Sequence, residues 1–220
     1  DVTLNGSSDA VSSSSLGSDV LRNIENVRGS TSSDTITGDS ADNQLMGESG
    51  DDTLDGASGA DTLEGSGGDD LLLASSDDDR LDGGADNDTV DFSSSTGVNL
   101  TLNTSTDAIA SSDLGSDTVV NVENVLGSNT GTDILEGDSA VNILNGQGGD
   151  DTLVATSGDD TLDGGSGTDE VSFANSTSGV TLALDTSSDA TATSDLGSDI
   201  VKNIENISGS DSSDTFTGDS

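Results

Sequence analysis

The chain has no cysteine, histidine, proline, tryptophan or tyrosine, and only 3 phenylalanines among 220 residues. Without cysteine and histidine, zinc centres, thiol chemistry and imidazole-based catalysis are excluded together. Basic residues are scarce as well: 4 Lys plus Arg stand against 44 Asp plus Glu, for a formal charge of −40. Nucleic-acid phosphates and anionic membrane surfaces would repel such a chain. No apolar run approaches the ~20 residues of a membrane-spanning helix, and no secretory signal opens the sequence. Hydrophobic residues make up 28%, and low hydrophobicity with high charge is the composition of a disordered chain.

What the sequence does have is a register that disordered tails do not keep. A nine-residue pattern recurs without a break from Gly29 to Asp91, as in GESGDDTLD from Gly47 and GASGADTLE from Gly56. Each unit places glycine or a small polar residue first, a carboxylate or amide sixth and an apolar residue eighth. A short fixed period predicts a solenoid rather than a globular core. The last three residues read polar–apolar–polar, as in Thr53-Leu54-Asp55, which predicts a very short strand with one inward side chain. The preceding six must turn the chain, and glycine serves a turn because it tolerates positive φ. Two nonapeptides then make one coil of eighteen residues, with turns on opposite edges and two thin sheets between.

Nonapeptides begin at Gly29, Gly38, Gly47, Gly56, Gly65, Ala74 and Gly83, and again at Ser128, Gly137, Gly146, Ala155 and Gly164. Between the arrays a longer unit occurs three times, as DLGSDTVVNVENVLGS from Asp113, DLGSDIVKNIENISGS from Asp195 and SLGSDVLRNIENVRGS from Ser15. The resulting division is a spacer at 1–28, an array at 29–92, a spacer at 93–127, an array at 128–173, a spacer at 174–208 and the start of a third array at 209–220, read as one continuous solenoid. Residues 1–40 match 181–220 at a constant offset of 180, so the sequence reads as a window on a longer tandem array. Alternation at Val98, Leu100 and Leu102, and at Val180, Leu182 and Leu184, predicts half-buried strands in the spacers. Val122 and Val125, or Ile204 and Ile207, predict two short strands around a bend. The spacers are expected to be wider coils of the same solenoid, with a flexible linker as the alternative, given the polar run at Ser105, Ser111 and Ser112.

The sixth position holds Asp34, Asn43, Asp52, Asp61, Asp70, Asp79 and Asp88, then Asp133, Asn142, Asp151, Asp160 and Asp169, and finally Asp214. All are oxygen donors. A single Asp of this kind is ordinarily a turn residue, but thirteen in register with an apolar residue two places later argue for a ligand. Carboxylates on a sharply turning, glycine-rich backbone suit calcium, a hard cation that takes oxygen ligands. One aliphatic side chain per nine residues buries too little surface to offset the ordering of the backbone. A cation bridging the carboxylates of neighbouring turns would add its binding free energy to folding. Asp117 and Asp199, each after Gly-Ser in a spacer, are further ligand candidates, while Glu25, Glu123 and Glu205 are either ligands or solvated strand residues.

GGSGTDEVS from Gly164 and GQGGDDTLV from Gly146 resemble the GGxGxDxUx repeats of the RTX family of secreted bacterial proteins. The resemblance covers the two arrays, just over half the chain, and the NIEN/NVEN spacers are similar to units that separate arrays in large members. It implies a right-handed parallel β-roll, all-β, with calcium ions stacked in the turns and held by sixth-position side chains and turn carbonyls. It also implies type I secretion and folding triggered by external calcium. ASSDDDRLD from Ala74 departs by lacking its leading glycines and placing Arg80 beside Asp79. The units at Gly38 and Gly137 carry Asn in sixth place, and those at Gly29, Ser128 and Gly209 look transitional.

Other constellations carry less. Adjacent carboxylates such as Asp51-Asp52 or Asp159-Asp160 recur as repeat positions without a unique pocket, against a glycosidase pair. DDDRLDGG from Asp77 lacks the twelfth-position Glu of an EF-hand. Arg22 and Lys202 read as surface countercharges, and Phe92 and Phe173 as plugs just after an array. The sequence therefore predicts a non-enzymatic, calcium-dependent structural repeat of a large secreted or cell-surface protein: an adhesin, matrix, surface-layer or filament scaffold. Its expected partners are calcium and neighbouring repeats, with self-association into a filament or layer as a further expectation. The rival reading is the secretion and folding module of an RTX toxin, protease, lipase or epimerase whose catalytic domain lies elsewhere. An ice-binding solenoid is disfavoured, because positions three to five vary.

Overall fold

In the computed structural model, residues 1–4, 10–14, 17–103, 107–184 and 189–218 are described, with 10–14 and 17–19 as backbone alone. Ser15, where the first copy of the spacer motif begins, and Ser105, part of the polar run behind the linker alternative, lie outside the described residues. The described elements are all strands, and most are three residues long. The expected triplet is seen within the two arrays: in Thr53–Asp55, Leu71–Leu73, Thr152–Val154 and Thr161–Asp163 the central residue is buried and its neighbours are half-buried. A residue in a strand faces opposite its two neighbours, so one side chain per nonapeptide enters the core.

The chain divides into two compact units. In the first, residues 1–92 with 109–122, parallel pairing joins Thr35–Thr37, Thr53–Asp55, Leu71–Leu73 and Thr89–Asp91 in one sheet. A second sheet joins Asn26–Arg28, Gln44–Met46, Thr62–Gly67, Arg80–Ala85 and Ser116–Val120. Within the array, partners lie 18 residues apart, as in Leu54↔Leu72 and Leu45↔Leu63. The eighteen-residue coil is thus the repeating element. Leu45, Leu54, Leu63, Leu72 and Leu81 are all 0% exposed.

In the second unit, residues 93–108 with 123–220, Asn124–Leu126, Ile143–Asn145, Thr161–Asp163 and Ser198–Lys202 pair in parallel. Opposite them run Val98–Thr101, Ile134–Glu136, Thr152–Val154, Glu170–Ser172 and Asn206–Ser208. Phe173 is fully buried directly after one array strand, as Phe92 is in the first unit.

In the first and third spacers the strands reverse direction, which the sequence did not specify. Thr181–Ala183, Ala190–Thr193 and Ser198–Lys202 form an antiparallel meander. Its first strand pairs in parallel with Thr215–Thr217 and its third with Thr161–Asp163. Val2–Thr3, Ala10–Ser14 and Gly17–Leu21 repeat the arrangement. An even number of reversals returns the third strand to the direction of the first, so the parallel ladder resumes. The expected bend is present: Asn203 takes φ 49° between Ser198–Lys202 and Asn206–Ser208, a left-handed conformation that asparagine tolerates better than most residues. Its Nδ2 donates to Asp163 Oδ1 at 2.7 Å.

Candidate functional site

Every turn of an array sets its sixth residue just before a strand, and these residues form a ladder along each edge. In the first unit the backbone N–H of Asp34 donates to Asp52 Oδ1, that of Asp52 to Asp70 Oδ1 and that of Asp70 to Asp88 Oδ1, at 2.7, 2.7 and 2.8 Å. On the other edge, Asn43 donates to Asp61, Asp61 to Asp79 and Asp79 to Asp117, at 2.7, 2.8 and 3.0 Å. In the second unit the N–H of Val98 donates to Asp133, Asp133 to Asp151, and Asp151 to Asp169. The opposite edge runs from Asn142 to Asp160 to Asp199. Asp214 accepts from Val180 at 2.8 Å. All fifteen residues singled out from the sequence take part in these ladders, twelve as side-chain acceptors, Asp117 and Asp199 of the spacers among them, while Asp34, Asn43 and Asn142 take part through their backbone N–H.

Two participants were not assigned from sequence. Glu205 was left open between ligand and solvated residue; its Oε2 accepts from Asp169 N–H at 2.8 Å, extending the ladder by one rung. Glu25 and Glu123 differ from it, since what they offer their neighbours is a main-chain carbonyl: Glu25 O accepts from Gln44 N–H and Glu123 O from Asn142 Nδ2. The fifth position, read as variable, forms a second ladder of opposite sense. Asp51 Oδ1 accepts from Asp69 N–H and Asp69 Oδ1 from Asn87 N–H, at 3.1 and 3.0 Å. Successive turns are therefore clamped reciprocally: the fifth side chain of one reaches forward, and the sixth side chain of the next reaches back. Asp42, Asp78, Asp150 and Asp159 act alike. The signal was the frequency of Asp at that position, masked by Ala60, Val141 and several Ser and Thr.

The second oxygen of the sixth carboxylate is where a ligand would bind. Oδ2 of Asp52, Asp61, Asp70, Asp88, Asp117, Asp151, Asp169 and Asp199 is buried without a hydrogen-bond partner. Buried carboxylate oxygens are normally satisfied, and an unpaired buried charge is costly. The position is made by glycine: a Cβ on Gly47, Gly56 or Gly65 would stand 2.1 to 2.2 Å from the Oδ2 of Asp52, Asp61 or Asp70. In the first turn of the second array Gly127 takes this place, its Cβ position lying 2.2 Å from Asp133 Oδ2. Burial pushes Asp61 and Asp151 up to about 7, and Asp70, Asp117 and Asp199 up to about 6. Burial also raises Asp52, Asp79, Asp133, Asp160 and Asp169. Asp214 is lowered instead, by the Val180 N–H.

The remaining sixth residues, Asp214 apart, are closed. Asp34 Oδ2 and Asp133 Oδ2 accept from the N–H of Ser30 and Ser128, both at 2.7 Å. Asn43 and Asn142 accept likewise from Asp39 and Asp138. Asp79 and Asp160 accept the hydroxyl of Ser75 or Thr156 on Oδ2, whereas Ser210 donates to Asp214 Oδ1, the oxygen that also accepts from Val180. The Arg80 guanidinium, expected beside Asp79, bonds Asp82 at 2.9 Å, and Lys202 pairs with Asp189 at 3.3 Å, as a countercharge should.

These features fit a hard cation. Among the described residues no three carboxylates converge on one point, because each turn contributes a single sixth side chain. Turn carbonyls would therefore complete the shell, a mixed carboxylate and carbonyl set of the kind calcium accepts. The bound ion would supply the positive charge that these buried oxygens lack. Comparison with curated proteins gives no match. Comparison with family patterns finds four copies of the RTX calcium-binding nonapeptide repeat, at residues 23–54, 55–90, 128–155 and 145–174. These cover just over half of the chain, and with the parallel ladders and their buried, unsatisfied carboxylates they place it in that family: the protein belongs to the RTX calcium-binding nonapeptide repeat proteins, as a calcium-binding structural repeat module.

Proposed function

We propose that the chain is a calcium-assembled structural segment of a large secreted protein, disordered where calcium is scarce and folded outside the cell as part of an adhesin, matrix, surface-layer or filament scaffold. The observation that carries this reading is the row of buried Oδ2 atoms without partners along the turn edges. Without a cation these oxygens repel one another and oppose burial. With one they join successive coils, so folding and binding are a single equilibrium. Extracellular calcium modules bind with Kd of roughly 10⁻⁴–10⁻³ M, so such sites are empty in cytosol and filled outside. The same turn recurring along both arrays suits a structural spacer.

The test is a calcium titration of the chelator-treated chain, followed by far-ultraviolet circular dichroism, because 3 Phe and no Trp or Tyr leave fluorescence nearly blind. A cooperative coil-to-β transition near millimolar calcium, not reproduced by magnesium, is expected. Persistent coil at high calcium would overturn the proposal.

A further inference from the structure

The sixth carboxylates fall into two classes, and the backbone of the second residue of each turn separates them. In the turns of Asp52, Asp61, Asp70 and Asp151 the second residue is a non-glycine with positive φ: Glu48 at 88°, Ala57 at 72°, Ser66 at 81° and Gln147 at 69°. In the turns of Asp88 and Asp169 it is Gly84 at 110° and Gly165 at 92°. All six of these carboxylates keep an unsatisfied Oδ2. Left-handed backbone is strained in a non-glycine residue, so four such residues at one repeat position need a cause.

The closed turns lack that strain. Ser30, Asp39, Ser75, Ser128, Asp138 and Thr156 all stay out of the positive-φ region. With ordinary φ, the N–H of Ser30, Asp39, Ser128 and Asp138 lies on the sixth side chain of its own turn. The left-handed conformation turns that N–H elsewhere: Glu48 N–H goes to Gly65 O at 3.1 Å. An N–H aimed at the oxygen presents its positive end where a cation would approach. Asn142 carries this further. Its Oδ1 is held by Asp138 N–H at 2.8 Å and its Nδ2 donates to Glu123 O at 2.9 Å. An amide donor thus faces the carbonyl of the neighbouring turn, and neither group can share a cation with the other.

The two classes are also ordered along the chain. Both complete arrays open with closed turns, at Asp34 and Asn43 and at Asp133 and Asn142, and the turns with a left-handed second residue come after. Building on the calcium reading above, we propose that calcium is taken only by turns whose sixth Oδ2 is left free, and that the turns at the start of each array, beside the spacer, are closed by their own hydrogen bonds and take none. The cation-binding edge is therefore discontinuous, and each array has a metal-free foot. Asp79 and Asp160, closed by the hydroxyls of Ser75 and Thr156, belong with the foot class although they lie inside the arrays.

The test compares bound calcium per chain, by isothermal titration and by metal analysis after equilibrium dialysis, in Asp133→Asn and Asp151→Asn. These are consecutive rungs of one ladder, and Asn is already native to the closed turns at 43 and 142. Asp133→Asn is expected to leave the number of bound ions unchanged, and Asp151→Asn to lower it by at least one. Asp34→Asn against Asp52→Asn gives an independent pair with the same expectation, should Asp133→Asn lose its β signal in saturating calcium. Equal loss of calcium from closed and open variants would overturn the two-class assignment while leaving the calcium reading intact. No calcium bound by the wild-type chain would instead remove the reading on which it rests.

Discussion

A Cβ placed on Gly47 would stand 2.1 Å from Asp52 Oδ2 and 2.8 Å from its Cγ. The first residue of the turn is thus glycine because the carboxylate of the sixth occupies its side-chain space. Gly47→Ala should expel that carboxylate and weaken calcium binding at this turn, raising the calcium midpoint of folding several-fold, an overpacking penalty of about 1–3 kcal/mol. Gly67 is the control, since its Cβ would meet only Glu48 O at 3.9 Å. Gly67→Ala should move the midpoint little. Calcium titration by circular dichroism compares the two, and equal shifts would contradict the assignment of Gly47 to the carboxylate's space.

The reciprocal clamp predicts that fifth-position carboxylates hold the register of the coils. Asp69 Oδ1 accepts from Asn87 N–H, and Asp70 N–H donates to Asp88 Oδ1, so one pair of turns is tied in both directions. Asp69→Ala removes one tie and should lower the stability of the calcium-loaded form by about 0.5–1.5 kcal/mol. Asp69→Asn keeps an accepting oxygen and should recover most of it. Thermal unfolding in saturating calcium measures both, and indifference to Asp69→Ala would show that the clamp contributes nothing.

Much of this architecture was readable because it is periodic. One inward side chain every nine residues fixes short strands, and the sixth-position oxygen donor fixes which edge of each coil it lines. Other features depend on dihedral angles that residue identity does not announce. Glu48 and Ser66 are left-handed although neither is a residue that favours it, while Asp39, of a type that tolerates that region, stays out of it and closes its turn. The antiparallel meander was missed for a related reason. Alternation at Val180, Leu182 and Leu184 gives a strand and its buried face, but two strands of either relative direction produce the same alternation. Glu205 was ambiguous in sequence because its role depends on the distance to Asp169 N–H, set by the Asn203 bend.

The core is one side chain wide, so its residues should be individually expensive to truncate. Leu63 is 0% exposed and stacks between Leu45 and Leu81 in register. Leu63→Ala in calcium-loaded protein should cost about 2–5 kcal/mol, from lost transfer energy and the cavity left behind. Ile143 is its counterpart on the outer face, 45% exposed, and Ile143→Thr should stay within about 0.5 kcal/mol. Denaturant unfolding at saturating calcium separates them, and a small effect of Leu63→Ala would mean the stack relaxes to fill the gap.

Proton and calcium should compete for the same oxygens. Burial raises Asp61 and Asp151 to about 7 and Asp70, Asp117 and Asp199 to about 6, from an ordinary value of 3.8. The metal-free folded chain therefore binds protons more tightly than the unfolded chain. Its relative stability is greatest below the unfolded value and is lost as pH rises through 6 and 7. In chelator, β structure is expected at about pH 5, above the isoelectric point of 4.1, with coil at about pH 8, where the carboxylates ionise. Calcium reverses the trend, because it needs the carboxylates deprotonated: its apparent affinity should fall as pH drops over the same window. Circular dichroism with light scattering to exclude association reads both arms. A metal-free chain equally disordered at both pH values would show that burying these carboxylates is not what opposes folding.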